Sequence, residues 1–200
     1  MIVIGLYGLL GYETAFRLFC QHEEELKNRF SKRFLGDLIR LFSPPADDAF
    51  TKETVFFDDP FLYITPVGEG GLYGTLWKAC EKIGQASPEK AGVKPGCQVE
   101  LLRVPIRQEV VEICELYEED PYETPSAGCF LVIWEMFPDE DPRGEYEKDL
   151  LSILKESAII GKLTNNGRRI LIWDDKVRYL TPPQRQKKDM MDRKNGVHTC

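Results

Sequence analysis

The chain has 200 residues, 42% of them hydrophobic and 30% charged, and a formal net charge of −7. That balance belongs to a globular protein and excludes low-complexity and repeat classes. No apolar stretch approaches the ~20 residues that a membrane span needs, so no span is expected. At this length roughly 70% of the unfolded surface can be buried without a disulfide or metal staple.

In chain order, Ile2–Ile4 is a short apolar run suited to opening a sheet. It lacks the preceding Lys or Arg and the small-x-small site of a secretory leader. Gly5, Gly8 and Gly11 follow at intervals of three. Apolar residues from Ala15 to Phe30 and from Phe30 to Phe42 then recur with helical spacing, as two helices or one bent helix. Ser31 can cap the second run, and Pro44-Pro45 stops it. Residues 44–52 read as a loop. Thr54–Phe57 and Phe61–Val67 are β-branched and aromatic, and Asp58-Asp59-Pro60 between them predicts a tight connection of two strands.

A glycine-rich stretch, Gly68 to Thr75, precedes a short helix over about 75–83, and residues 85–96 read as a loop. Gln98–Val104 is a predicted strand. The helix over 106–119 has the clearest pattern, with Ile106, Val110, Ile113, Cys114 and Tyr117 on one face and glutamates on the rest. Cys129–Phe137 carries Glu135 as its single charge and is bounded by Gly128 and Pro138. Such a run predicts a central strand buried on both faces. Asp141-Pro142 opens a predicted helix reaching about Leu163, and Arg168–Trp173 with Lys176–Leu180 form a predicted hairpin over Asp174-Asp175.

These elements predict an α+β fold: a single domain over 1–181 with a mixed or antiparallel sheet covered by amphipathic helices, then a basic tail over 182–200. The six cysteines form no Cys-x-x-Cys pair, and Cys80, Cys114 and Cys129 sit in stretches patterned for burial. Reduced core thiols and a cytoplasmic setting are the expectation.

Charge is distributed unevenly. Residues 100–149 hold 15 acidic and 4 basic side chains, whereas 150–200 hold 5 acidic and 11 basic. An acidic block of this density attracts cationic partners by long-range steering. The leading expectation is a non-enzymatic interaction protein, an inhibitor or immunity-type regulator that captures a basic protein partner. Its face would comprise Glu109, Glu112, Glu115, Glu118, Glu119, Asp120, Asp139, Glu140 and Asp141. Nucleic acid is not expected except through the tail, which lacks the aromatics of a single-strand binder.

Catalytic constellations are sparse. With His22 and His198 the only histidines, a His-rich metal site is excluded by count, and Cys20 and His22 point to different helix faces. The acidic pairs Asp58-Asp59 and Asp174-Asp175 read as turn formers, so neither a metal nor a cofactor is expected. The alternative expectation is an enzyme or sensor that depends on a nucleotide or phosphate ligand. Gly68, Gly70, Gly71, Gly74 and Thr75 would form its site, with backbone N–H groups at a helix start receiving the anion. The stretch departs from G-x-G-x-x-G at Tyr73 and lacks the Gly-Lys-Ser/Thr ending of a P-loop.

Overall fold

The computed structural model describes residues 1–41, 54–56, 62–86, 94–136 and 156–183. Its strands are β1 (Ile2–Tyr7), β2 (Thr54–Phe56), β3 (Leu62–Pro66), β4 (Gly96–Glu100), β5 (Phe130–Glu135), β6 (Ala158–Thr164), β7 (Arg169–Trp173) and β8 (Lys176–Tyr179). They form one sheet in the order β2-β3-β5-β1-β6-β4-β7-β8. The β4–β7 pair is parallel, and every other neighbouring pair is antiparallel. With five helices among the described residues, the fold is a single α+β domain with a mixed sheet.

The predicted central strand is β5, paired with β3 on one side and β1 on the other. Alternation along a strand sends successive side chains to opposite faces, and here both faces are covered. Leu131 and Ile133 join Ile4 and Leu6 in a core shared with Leu72, Leu76, Ala79 and Ile83 of α4 (Gly71–Ala86). Val132 and Trp134 join Val3, Leu62 and Ile64 on the other side. Each fully buried aliphatic side chain of this size contributes about 1.5–3 kcal/mol, so the uninterrupted apolar sequence of β5 is what a two-sided position demands.

The helical pattern of residues 12–41 resolves into three helices: α1 (Tyr12–Gln21), α2 (Glu23–Arg29) and α3 (Lys32–Leu41). His22 and Phe30 leave helical geometry and mark the breaks. The Glu23-Glu24-Glu25 cluster occupies the first turn of α2, where carboxylates meet the positive end of the helix dipole. Ser31 Oγ accepts the Phe34 N–H at 3.2 Å, as its capping role predicts. With α5 (Gln108–Leu116), α1 and α3 bury Tyr12, Ala15, Leu18, Leu35, Leu38, Val110 and Ile113 in a separate core.

One predicted element is overturned. The helix expected to reach Leu163 ends in strand instead, because residues 158–164 are β6. Helical spacing of Leu150, Ile153, Leu154 and Ala158 extended that pattern too far. The run Ala-Ile-Ile-Gly-Lys-Leu-Thr is β-branched, and it fills the slot between β1 and β4. Without it, the facing N–H and C=O groups of both neighbours would lack partners. The predicted strand over 98–104 is likewise shorter, ending at Glu100 in a 3-10 turn over Leu101–Arg103. The 44–52 and 87–93 loop segments, the Asp58-Asp59-Pro60 connection, residues 137–155 and residues 184–200 of the basic tail lie outside the described residues. Among the described residues, no helix is long and apolar enough to cross a membrane.

Candidate functional site

The glycine-rich stretch leads directly into α4, which begins at Gly71 rather than near Thr75. Gly70 and Gly71 take left-handed conformations, with φ of 85° and 61°. A side chain at Gly71 would overlap the carbonyl oxygen of Tyr122 and approach Glu123 Cα to 2.7 Å. Glycine therefore lets the 122–123 backbone lie against the helix start, where Tyr73 N–H donates to Tyr122 O at 3.2 Å. Gly71 N–H donates to Gly68 O at 2.9 Å and Gly74 N–H to Gly70 O at 2.8 Å. Thr75 does not cap the helix; its hydroxyl donates back to Gly71 O at 2.8 Å. These N–H groups are thus engaged within the turn itself.

What the turn does is fix Tyr73. Its ring stacks on Tyr122 with centroids 5.4 Å apart and planes 7° from parallel. Arg178, from β8, lies over the Tyr73 ring, its guanidinium 5.0 Å from the centroid. The same guanidinium donates to the Tyr73 hydroxyl. Burial raises the pKa of Tyr73 and of Tyr122 above the usual phenol value, so both hydroxyls stay protonated at neutral pH.

This pair forms one wall of a groove of about 1100 Å³. Leu101, Val104, Ile106 and Leu171 give it an apolar floor, and Leu102, Val111, Trp173 and Val177 are apolar side chains left exposed along it. Lys176 and Arg178 stand on the β8 side, and Glu115, Glu118, Glu119 and Asp120 on the α5 side. The α5 rim is shaped by a helix ending in which Glu118 adopts φ 57°, Glu119 N–H donates to Cys114 O at 2.9 Å, and Glu118 N–H donates to Glu115 O at 3.2 Å. That is a Schellman arrangement with glutamate where glycine is usual. Asp120 then accepts the Tyr122 N–H at 2.8 Å, tying the acidic turn to the aromatic wall.

The predicted acidic face is divided by this geometry. Glu115, Glu118, Glu119 and Asp120 come together on the groove, whereas Glu109 and Glu112 do not line it. Glu109 pairs with Arg107 at 3.4 Å, and Glu112 accepts from Gln108 at 2.6 Å. Arg17 holds Glu119 at 3.3 Å. Asp139, Glu140 and Asp141 lie outside the described residues. His22 stacks on Tyr117 with centroids 4.2 Å apart and faces Glu25 at 3.8 Å. Asp174 and Asp175 form the β7–β8 turn. Among the described residues no three His, Cys, Asp or Glu side chains stand together as a metal centre.

Tyr73, Tyr122 and Arg178 were not among the residues the sequence singled out. The available signal was Tyr73 itself, a large aromatic placed inside a glycine turn where a phosphate loop has no use for one.

No known protein family matches the sequence, and no curated protein matches it. Solved structures match it in fold. Escherichia coli HypE is similar with a TM-score of 0.57 and 16% identity, over 92% of this chain and 51% of that one. HypE solved in complex with ATP gives 0.54 and 16%, over 90% and 50%. HypE solved with HypF gives 0.55 and 15%, over 91% and 53%. The chain thus spans about half the length of these hydrogenase maturation proteins. The comparison corrects the expectation of an inhibitor or immunity-type regulator acting through an acidic face. The shared fold is that of a maturation protein solved with ATP, and the acidic residues of α5 are split between helix-surface pairs and the rim of a groove.

Proposed function

We propose that the protein is a nucleotide-dependent enzyme whose nucleotide occupies the groove beside the first turn of α4. The observation that carries this reading is the stacked Tyr73–Tyr122 pair, capped by Arg178 and facing a groove with an apolar floor and cations on one side. Planar rings offer a base a stacking surface, and Arg178 with Lys176 offers charge to phosphates. Gly68, Gly70, Gly71, Gly74 and Thr75 enter as the turn that holds Tyr73 in the wall. The HypE structure in complex with ATP supports the choice of ligand. A reducing, cytoplasmic setting fits it, since Cys20, Cys80, Cys97, Cys114 and Cys129 are free thiols.

The test is calorimetric titration with ATP, ADP and AMP, each with and without Mg²⁺. Base–aromatic stacking contributes about 1–3 kcal/mol, so Tyr122→Ala should weaken binding by about tenfold or more. Arg178→Ala should weaken ATP more than AMP, because its effect scales with phosphate charge. No binding heat from any of the three nucleotides at millimolar concentration would overturn the reading.

A further inference from the structure

The strand β8 ends the sheet, and among the described residues β7 is its one neighbour. All of its side chains are exposed, Val177 at 61% and Tyr179 at 65%. Just past the strand, Leu180 N–H donates to Arg169 O at 2.8 Å. Backbone groups of an antiparallel strand alternate in direction, so those of Lys176 and Arg178 also point to β7. The N–H and C=O groups of Val177 and Tyr179 therefore face outward, along an open edge. Side chains alternate as well, with Lys176 and Arg178 on one face of the strand and Val177 and Tyr179 on the other. The second pair continues an apolar strip, because its register partners are Ile172 and Ile170.

We propose that β8 is a docking edge for an extended acidic segment of a partner protein, which adds to the sheet as a further strand. Antiparallel addition pairs one partner residue with Val177 and another with Tyr179, each through both backbone bonds. The partner residue between them lies opposite Arg178 in a non-hydrogen-bonded pair. There the Cα atoms are about 4.5 Å apart, against about 5.5 Å in a hydrogen-bonded pair. A carboxylate at that position meets Arg178, and a second one two residues on meets Lys176. Arg178 gives one nitrogen to the Tyr73 hydroxyl, and a guanidinium has further donors to offer a carboxylate. Apolar partner residues opposite Val177 and Tyr179 cover the exposed strip. The segment thus reads apolar-acidic-apolar-acidic.

The same charges decide against a second copy of this chain. Self-pairing centred on Val177 sets Lys176 against Arg178 of the second copy, and self-pairing centred on Arg178 sets that arginine against itself. Like charges directly opposite one another destabilise a ladder, and cationic edges guard against such pairing. An acidic strand turns both side chains into attractions. Asp174 and Asp175 occupy the hairpin turn, so the attraction ends with the strand. Nucleotide in the groove is not needed for this contact.

The experiment titrates the full-length chain, without nucleotide, into a fluorescein-labelled Thr-Val-Glu-Val-Glu-Thr peptide and reads anisotropy. Binding is expected with a dissociation constant below about 1 mM, weakening as NaCl rises. Lys176→Glu should weaken it about threefold or more. The peptide with both valine amides N-methylated should lose binding, because those N–H groups face β8, and this comparison leaves the protein unaltered. No binding at about 1 mM would overturn the proposal. So would equal binding of the N-methylated peptide, or of one reordered to Val-Val-Glu-Glu. A parent chain that sediments as a dimer, and as a monomer once Val177→Pro removes an outward N–H, would give the edge to a second copy and overturn it too.

Discussion

Replacing Gly71 by alanine tests the account of the glycine turn directly. At φ 61° an L-residue incurs a left-handed backbone cost of about 1–2 kcal/mol. The new methyl would also meet the Tyr122 carbonyl oxygen, with Glu123 C at 2.5 Å and its Cα at 2.7 Å. Those atoms are backbone and cannot rotate aside, so the 122–123 segment must move away from α4. Its departure breaks the 3.2 Å bond between Tyr73 N–H and Tyr122 O, worth about 1 kcal/mol net. The combined loss is about 2–3 kcal/mol, which for a domain of this size lowers the melting midpoint by roughly 5–10 °C. Differential scanning calorimetry reads it. Gly68→Ala is the matched control: its φ is not left-handed and nothing lies within 4 Å of the added carbon. That variant should melt at or slightly above the parent, since a tolerated Gly→Ala change removes unfolded-state entropy. If the Gly71 and Gly68 variants melt together, the packing of residues 122–123 on the helix start is wrong.

Gly36→Ala, inside α3 with nothing near the added carbon, should stabilise the fold by about 0.5–1 kcal/mol in urea melts. Ser126→Ala should cost about 1–3 kcal/mol by the same assay, because the Ser126 hydroxyl accepts the buried Gly11 N–H at 2.8 Å. The pH dependence should show an alkaline limb. Burial pushes the Cys129 thiol from 9.0 up to about 12, so the unfolded chain releases this proton first. Its contribution is complete below about pH 9, declines as pH rises through the interval between the two values, and is gone above the folded one. Tyr12, Tyr73 and Cys114 are raised in the same sense, so Cys129→Ala should make the limb shallower without abolishing it.

Parts of the structure announced themselves locally. The β5 run is so uniformly apolar that only a doubly covered position suits it, and the β7–β8 hairpin follows from two β-rich runs around Asp174-Asp175. Cys80, Cys114 and Cys129 are buried as their surroundings predict, but Cys97 looked like a loop-flanking residue and is fully enclosed. Where the sequence misled, a distant partner decided the outcome. Residues 158–164 become strand because β1 and β4 leave a gap between them, a fact carried by neither segment alone. The end of α5 was obscured because Glu118 occupies a left-handed position without the glycine that would flag it. The groove was illegible for the same reason: Tyr73, Tyr122 and Arg178 come from a helix start, a turn and an edge strand far apart in the chain.

The position of β1 has a consequence for how the fold is reached. This strand precedes its partners by a long stretch of chain: they are β5 and β6, whose pairing residues begin at Phe130 and Ala158. Until both have been synthesised, the backbone groups on its two edges have no native ladder to join. Closing such long loops before any pairing energy is returned makes assembly slow. The growing chain therefore carries an apolar Ile-Val-Ile segment unpaired while the residues between β1 and β6 are being made. Aggregation in the cell should track the time spent in that state more closely than the stability of the finished domain.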